Sequence, residues 1–120
     1  MKKLGIGVIA AALLLTGCAA SGNATACGLY ESAYNQVADS VAGDYEPDFV
    51  QAQVALLPDR LSEAFDKASG DVAVEMQSSL EMAQVMSSSE DAGVAFFMSV
   101  ESVADACSAD GAAIDVHELK

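Results

Sequence analysis

The chain has 120 residues and carries 18 Asp and Glu against 5 Lys and Arg, a net charge of −13 with its single His neutral. So acidic a balance excludes nucleic-acid binding by phosphate neutralisation, and adhesion to anionic headgroups through a basic face. The length suffices for one small domain, whose core burial alone is marginal enough that a covalent staple would help.

The first segment is Met1-Lys2-Lys3, an apolar run from Leu4 to Leu15, and then Thr16-Gly17-Cys18. Two lysines form a positive n-region, and the apolar run is a signal-peptide h-region. That run is well short of the ~20 apolar residues that a membrane-spanning helix needs. Small residues before Cys18 suit an extended passage through a peptidase cleft.

Leu15-Thr16-Gly17-Cys18 resembles the lipobox of bacterial lipoproteins, in its usual place after a short h-region. The resemblance covers residues 1 to about 20 and does not reach the rest of the chain. It implies a signal peptide over 1–17, a diacylglyceryl group on the Cys18 sulfur, and Cys18 as the first residue of the mature chain. It also implies a lipid-anchored protein on the extracytoplasmic face of the bacterial envelope, held by palmitate-class chains. One acyl chain binds a membrane marginally, whereas two or three give stable attachment at ~0.8 kcal/mol per buried methylene. Loss of Lys2 and Lys3 with the signal would take the net charge from −13 to −15, which reads as a solvated acidic shell.

With Cys18 assigned to lipid, Cys27 and Cys107 form an even pair in an oxidising compartment and are expected to be disulfide-bonded. Closing a loop of this length stabilises by up to ~4.5 kcal/mol, less any strain. Zinc ligation by two cysteines without a CxxC is disfavoured.

Residues 18–26, small and polar (Ala-Ala-Ser-Gly-Asn-Ala-Thr-Ala after Cys18), are expected to be a flexible tether of at most ~27 Å. The sequon Asn23-Ala24-Thr25 reads as part of that linker. The folded domain is placed at 27–111. Cys27, Tyr30, Tyr34, Val37 and Val41 recur at spacings of three and four, one stripe of a first helix stopped by Gly43. Both tyrosines are expected to pack with their hydroxyls at the rim. A second helix opens at Pro47-Asp48, carries Val50, Val54, Leu57, Leu61, Phe65 and Ala68, and ends at Gly70. Pro58 interrupts it as a kink or a tight two-helix joint. A third begins near Asp71 with Val72, Met76, Leu80, Ala83 and Met86 inward. Ser87-Ser88-Ser89 closes it, and Ser88 with Asp91 offers a capping box for the next helix. The fourth carries Gly93 or Val94, then Phe97, Val100, Ala104 and Cys107, and stops at Gly111. Residues 112–120 read as a tail, at most one loosely held turn.

The cysteines constrain the topology. Cys27 opens the first helix and Cys107 closes the last, so an even number of antiparallel helices brings them together. Three straight helices would leave them ~25 Å apart. The expected fold is all-α: a small antiparallel bundle of about four helices, stapled by one disulfide.

The sequence lacks the signatures of chemistry. His117 lies in the tail beside Glu118, and no Gly-x-Ser-x-Gly, Ser-x-x-Lys or His-Glu-x-x-His occurs. Carboxylates at Asp44, Glu46 and Asp48, and at Glu90 and Asp91, cluster between helices, where capping and solvation explain them. Asp110-Gly111 resembles the middle of an EF-hand loop, but Ala106, Ser108 and His117 occupy ligand positions and the pattern fails. Met76, Met82, Met86 and Met98 read as core filler rather than copper ligands. The site residues are therefore Cys18 for lipidation and Cys27 with Cys107 for the disulfide, with no catalytic residue, metal or cofactor assigned. The expectation is a non-enzymatic envelope lipoprotein that binds a protein partner at the membrane surface. A metal- or small-ligand-binding lipoprotein is the alternative. A resemblance in size and architecture alone also extends to prophage-encoded lipoproteins that block phage infection.

Overall fold

Four α-helices follow one another with short joints: α1 (Gly17–Ala42), α2 (Pro47–Asp66), α3 (Gly70–Val85) and α4 (Glu90–Ala109). The computed structural model describes residues 17–117, so most of the segment read as a signal peptide, 1–16, and the last three residues of the chain lie outside the described residues. Joints as short as 43–46, 67–69 and 86–89 leave no room for a crossover, so neighbouring helices run antiparallel. α1 pairs with α2, α3 with α4, and α2 packs on α3. The ring cluster of Tyr34, Phe96 and Phe97 joins α1 to α4, with centroids 6.3 Å from Tyr34 to each phenylalanine.

The fold is the expected all-α bundle closed by a disulfide. Cys27 and Cys107 are bonded with their Cα atoms 6.1 Å apart across 80 residues of sequence, and both are fully buried. Because α1 leaves that end and α4 returns to it, the bond ties the two ends of the domain at one pole of the bundle. By length and composition α4 is apolar enough to cross a membrane. Here it buries one face, Phe96, Ser99, Val100, Val103 and Cys107, within the bundle.

Several details differ from the sequence reading. α1 begins at Gly17, ten residues before the expected start, so the tether predicted over 18–26 is helical. Its alanines favour helix, and Asn23 and Ala26 are buried in the bundle, the latter completely. The sequon asparagine is thus an interior residue. Pro58 lies within one continuous α2, which resolves the open choice against two separate helices. The backbone bond that Pro58 cannot donate is offset by Leu57 and Leu61 beside it, which are essentially fully buried.

The buried face of α4 is also turned from the predicted one. Phe96, Val100, Val103 and Cys107 are inside, whereas Phe97 is half-buried, Ala104 is half-buried and Val94 is 56% exposed. The doublet Phe96-Phe97 permits two stripes that share Val100 and Cys107, and periodicity does not separate them. The N-cap of α4 moves by one residue: Ser89 Oγ accepts from the Ala92 amide, while the Ser88 hydroxyl donates back to the Val85 carbonyl at the end of α3.

α4 stops in a Schellman turn. Ala112 N–H donates to the Cys107 carbonyl and Gly111 N–H to that of Ser108, with Gly111 left-handed at φ +83°. That turn sends the chain back along α1, so the tail expected to hang loose is a docked strap. Ala112, Ile114 and Val116 alternate inward against the core while residues 113, 115 and 117 face out.

Candidate functional site

The polar groups of this molecule fall into four places: the disulfide pole, the bundle centre, the strap and the opposite pole. At the disulfide pole Asn23 is the organiser. Its Oδ1 accepts from the Ser69 backbone amide at 2.9 Å, taking the role of a helix cap for α3, and also from the Ser69 hydroxyl at 3.3 Å. Its Nδ2 donates to Asp110 Oδ2 at 2.9 Å, where α4 ends. One amide thereby caps the start of α3 and ties it, through the Asp110 carboxylate, to the end of α4, joining three elements. Around it lies an open cleft of about 640 Å³ whose walls include Asp71, Glu75, Asp105 and Asp110.

At the centre Tyr30 (α1), Ser79 (α3) and Ser99 (α4) form a buried hydroxyl chain. Tyr30 Oη is 2.6 Å from Ser79 Oγ, Ser79 Oγ is 2.9 Å from Ser99 Oγ, and Ser99 Oγ is 2.5 Å from the Phe96 carbonyl oxygen. A carbonyl can only accept, and each hydroxyl has one hydrogen. The order that occupies every group runs Tyr30 to Ser79 to Ser99 to Phe96. Burial holds the Tyr30 phenol well above its ordinary range, against the lesser opposing pull of the Ser79 bond. The Tyr30 hydroxyl expected at the rim is therefore interior. Among the described residues no buried side-chain polar atom lacks a partner.

The strap is held by a ladder on α1. Glu31, Asn35 and Asp39 are spaced four apart and project along one line. Glu31 Oε2 accepts from Asp115 N–H at 2.6 Å, Asn35 Nδ2 donates to the Asp115 carbonyl at 2.8 Å, and Asn35 Oδ1 accepts from His117 N–H at 2.8 Å. The Asn35 amide thus pairs with an extended backbone much as a neighbouring strand would. His117 Nδ1 lies 2.7 Å from Asp39 Oδ1 on the surface.

That bond raises the His117 pKa above its ordinary value of 6.5, and the charges of Asp39, Asp115 and Glu31 act in the same direction. Since the docked state holds the proton more tightly, the contribution to docking is complete below pH ~6.5 and is lost as pH climbs through the raised value. Amide exchange at Asp115 and His117 should accordingly quicken on raising pH through that window, beyond the intrinsic base catalysis shown by exposed amides such as Ala113. In Asp39→Asn this extra acceleration should vanish. A strap whose protection is unchanged by that substitution would exclude the ion pair as its pH-dependent clasp.

At the pole opposite the disulfide, Tyr45 stacks on Phe49 with ring centroids 5.0 Å apart, and both are substantially exposed. They head a groove of about 410 Å³ between α1 and α2 that also includes Asp39 and Arg60. Asp44, Glu46 and Asp48 surround the rings in sequence, and among the described residues none of these carboxylates has an ion-pair partner.

Of the assigned site residues, Cys27 and Cys107 are joined, and Cys18 falls at the second position of α1. Among the described residues no three His, Cys, Asp or Glu side chains are placed to hold a metal ion. Met76 is buried, Met82 and Met86 are half-buried against the core, and Met98 is exposed. The roles of Asn23, Ser79 and Asn35 escaped the sequence reading, because a lone polar residue on a helix carries no mark of the partner it meets. The strap did carry a signal, the alternation of Ala112, Ile114 and Val116. No protein-family model, curated protein or solved structure matches this chain.

Proposed function

We propose that this protein is a non-enzymatic lipoprotein, anchored through acyl chains on Cys18 to the extracytoplasmic face of a bacterial membrane, where the bundle serves as a protein-interaction module. The reading rests on the sulfur accounting: with Cys27 and Cys107 bonded to each other, Cys18 in Leu15-Thr16-Gly17-Cys18 is the remaining thiol of three. Asn23, buried in the bundle, lies five residues further on, about 7.5 Å of helix rise. The disulfide pole then sits directly on the bilayer with little slack, and the Tyr45–Phe49 pole faces away. A surface this acidic is repelled by anionic headgroups, which favours lipid attachment at one point over adhesion along a face.

Fractionation of cells expressing Cys18→Ser tests the anchor. The expected result is an uncleaved precursor without the mass of a diacylglyceryl group. A Cys18→Ser protein that is processed to the mature length like the parent would refute lipidation at Cys18.

A further inference from the structure

The interaction-module reading does not say which surface is used. Exposed apolar side chains also occur on α3 and α4, at Val74, Val85, Val94 and Met98, and these are aliphatic chains without a ring contact or a glycine seat. Tyr45 and Phe49 differ because they are exposed and yet held in place. Tyr45 is 57% exposed, but its ring lies over Gly43 so closely that a Cβ there would stand 2.5 Å from Cε2 and 2.8 Å from Cδ2. On its other side it stacks on Phe49. The chain thus uses a side-chain-free position to seat an aromatic pair that buries little. An aromatic surface ordered in advance loses little side-chain entropy on binding.

Charge indicates what it meets. Asp44, Glu46 and Asp48 alternate with the turn residues around the rings, and no basic side chain lies within 40–50. Arg60, at the far end of the adjoining groove, is engaged with Gln53 Oε1 at 3.1 Å. Asp39 in that groove is held by His117 of the strap. A guanidinium or ammonium stacked on the exposed ring face would gain cation–π attraction and nearby carboxylates together. A second copy of this chain would bring carboxylates against carboxylates.

We propose that the seated Tyr45–Phe49 pair, with Asp44, Glu46 and Asp48 around it, is the docking surface for a basic segment of a partner protein that carries Arg or Lys next to an apolar anchor. This deepens the interaction-module reading and rests on it.

The test uses the full chain in a neutral detergent and two labelled probe peptides, one alternating leucine with arginine and the other leucine with glutamate. Fluorescence anisotropy should show binding of the arginine peptide, weakened by salt, and none of the glutamate peptide. Tyr45→Ala/Phe49→Ala should weaken binding at least about tenfold. Gly43→Ala, which retains both rings and displaces one, should weaken it as well. Val74→Ala and Met98→Ala should bind like the parent. Circular dichroism of each variant confirms that the bundle is intact, and Asp44→Asn/Glu46→Gln/Asp48→Asn should flatten the salt dependence. Equal binding by the parent and Tyr45→Ala/Phe49→Ala would reduce the interaction to diffuse attraction by an acidic surface and overturn the proposal. Self-association lost on Tyr45→Ala would overturn it in favour of a second copy. The anchor fails separately, since Cys18→Ser alters processing and leaves this peptide binding untouched.

Discussion

Cys27→Ser/Cys107→Ser lowers the unfolding free energy of this domain by about 3–4 kcal/mol, within the range for native disulfides in small exported domains. The reason is the span: 80 residues of sequence separate the two cysteines, so nearly the whole folded chain is free to expand once the bond is gone. In the folded state both sulfurs lie in the core, and the open thiols leave small buried groups rather than a large cavity. For a domain of about 100 residues this corresponds to a fall in Tm of upwards of ~12 °C, to be read from thermal melts of parent and variant at one pH. A change of less than ~3 °C would mean that the four helices hold their ends together without the bond. The parent treated with mild reductant under native conditions should keep its disulfide, because no attacking thiolate reaches a buried sulfur.

Ser79→Ala carries the second large effect. It removes the acceptor of the Tyr30 hydroxyl, 2.6 Å away in a site closed to solvent. A buried donor left without a partner costs about 1–3 kcal/mol. Tyr30→Phe removes a donor and leaves Ser79 still able to donate to Ser99, so its cost is smaller. The pair together should be less destabilised than the sum of the singles, since Tyr30→Phe takes away the hydroxyl that Ser79→Ala orphans. Denaturant unfolding of the parent, both singles and the double gives this coupling directly. Additive losses would show that the two hydroxyls do not depend on each other, and the hydrogen-bond order proposed for the chain would be wrong. The arrangement also fixes register, because Tyr30, Ser79 and Ser99 meet only when α1, α3 and α4 are at one height.

The helix stripes of α1, α2 and α3 were legible because burial on one face imposes a 3.6-residue period on apolar positions, and Tyr30, Leu57, Leu61, Val72 and Met76 obey it. α4 was legible as a helix but not in its rotation, since Phe96 and Phe97 adjoin. Composition misled at residues 18–26. Ala, Ser, Gly, Asn and Thr are common to linkers and to tightly packed helix starts, and what separates the two is whether a neighbour is present. Asn23 meets Ser69 and Asp110, residues 46 and 87 positions away, which local composition does not encode. The strap was missed for the same reason: Ile114 and Val116 have no periodic partner in sequence, and the Glu31-Asn35-Asp39 ladder that holds Asp115 and His117 beside them lies some 80 residues earlier.

By itself the sequence determined the helical class, the helix order and the pairing of Cys27 with Cys107. The first two follow from local periodicity and from Gly and Pro as stop signals, and the third from setting Cys18 aside on its resemblance to a lipobox cysteine, which leaves an even pair. The tertiary structure alone decided the helical start at Gly17, the face that α4 buries, the hydroxyl chain at the centre, the docked strap and the exposed ring pair over Gly43. Each of these depends on what stands opposite a residue in space, and a hydrogen bond or a close approach is a property of two positions that only folding brings together.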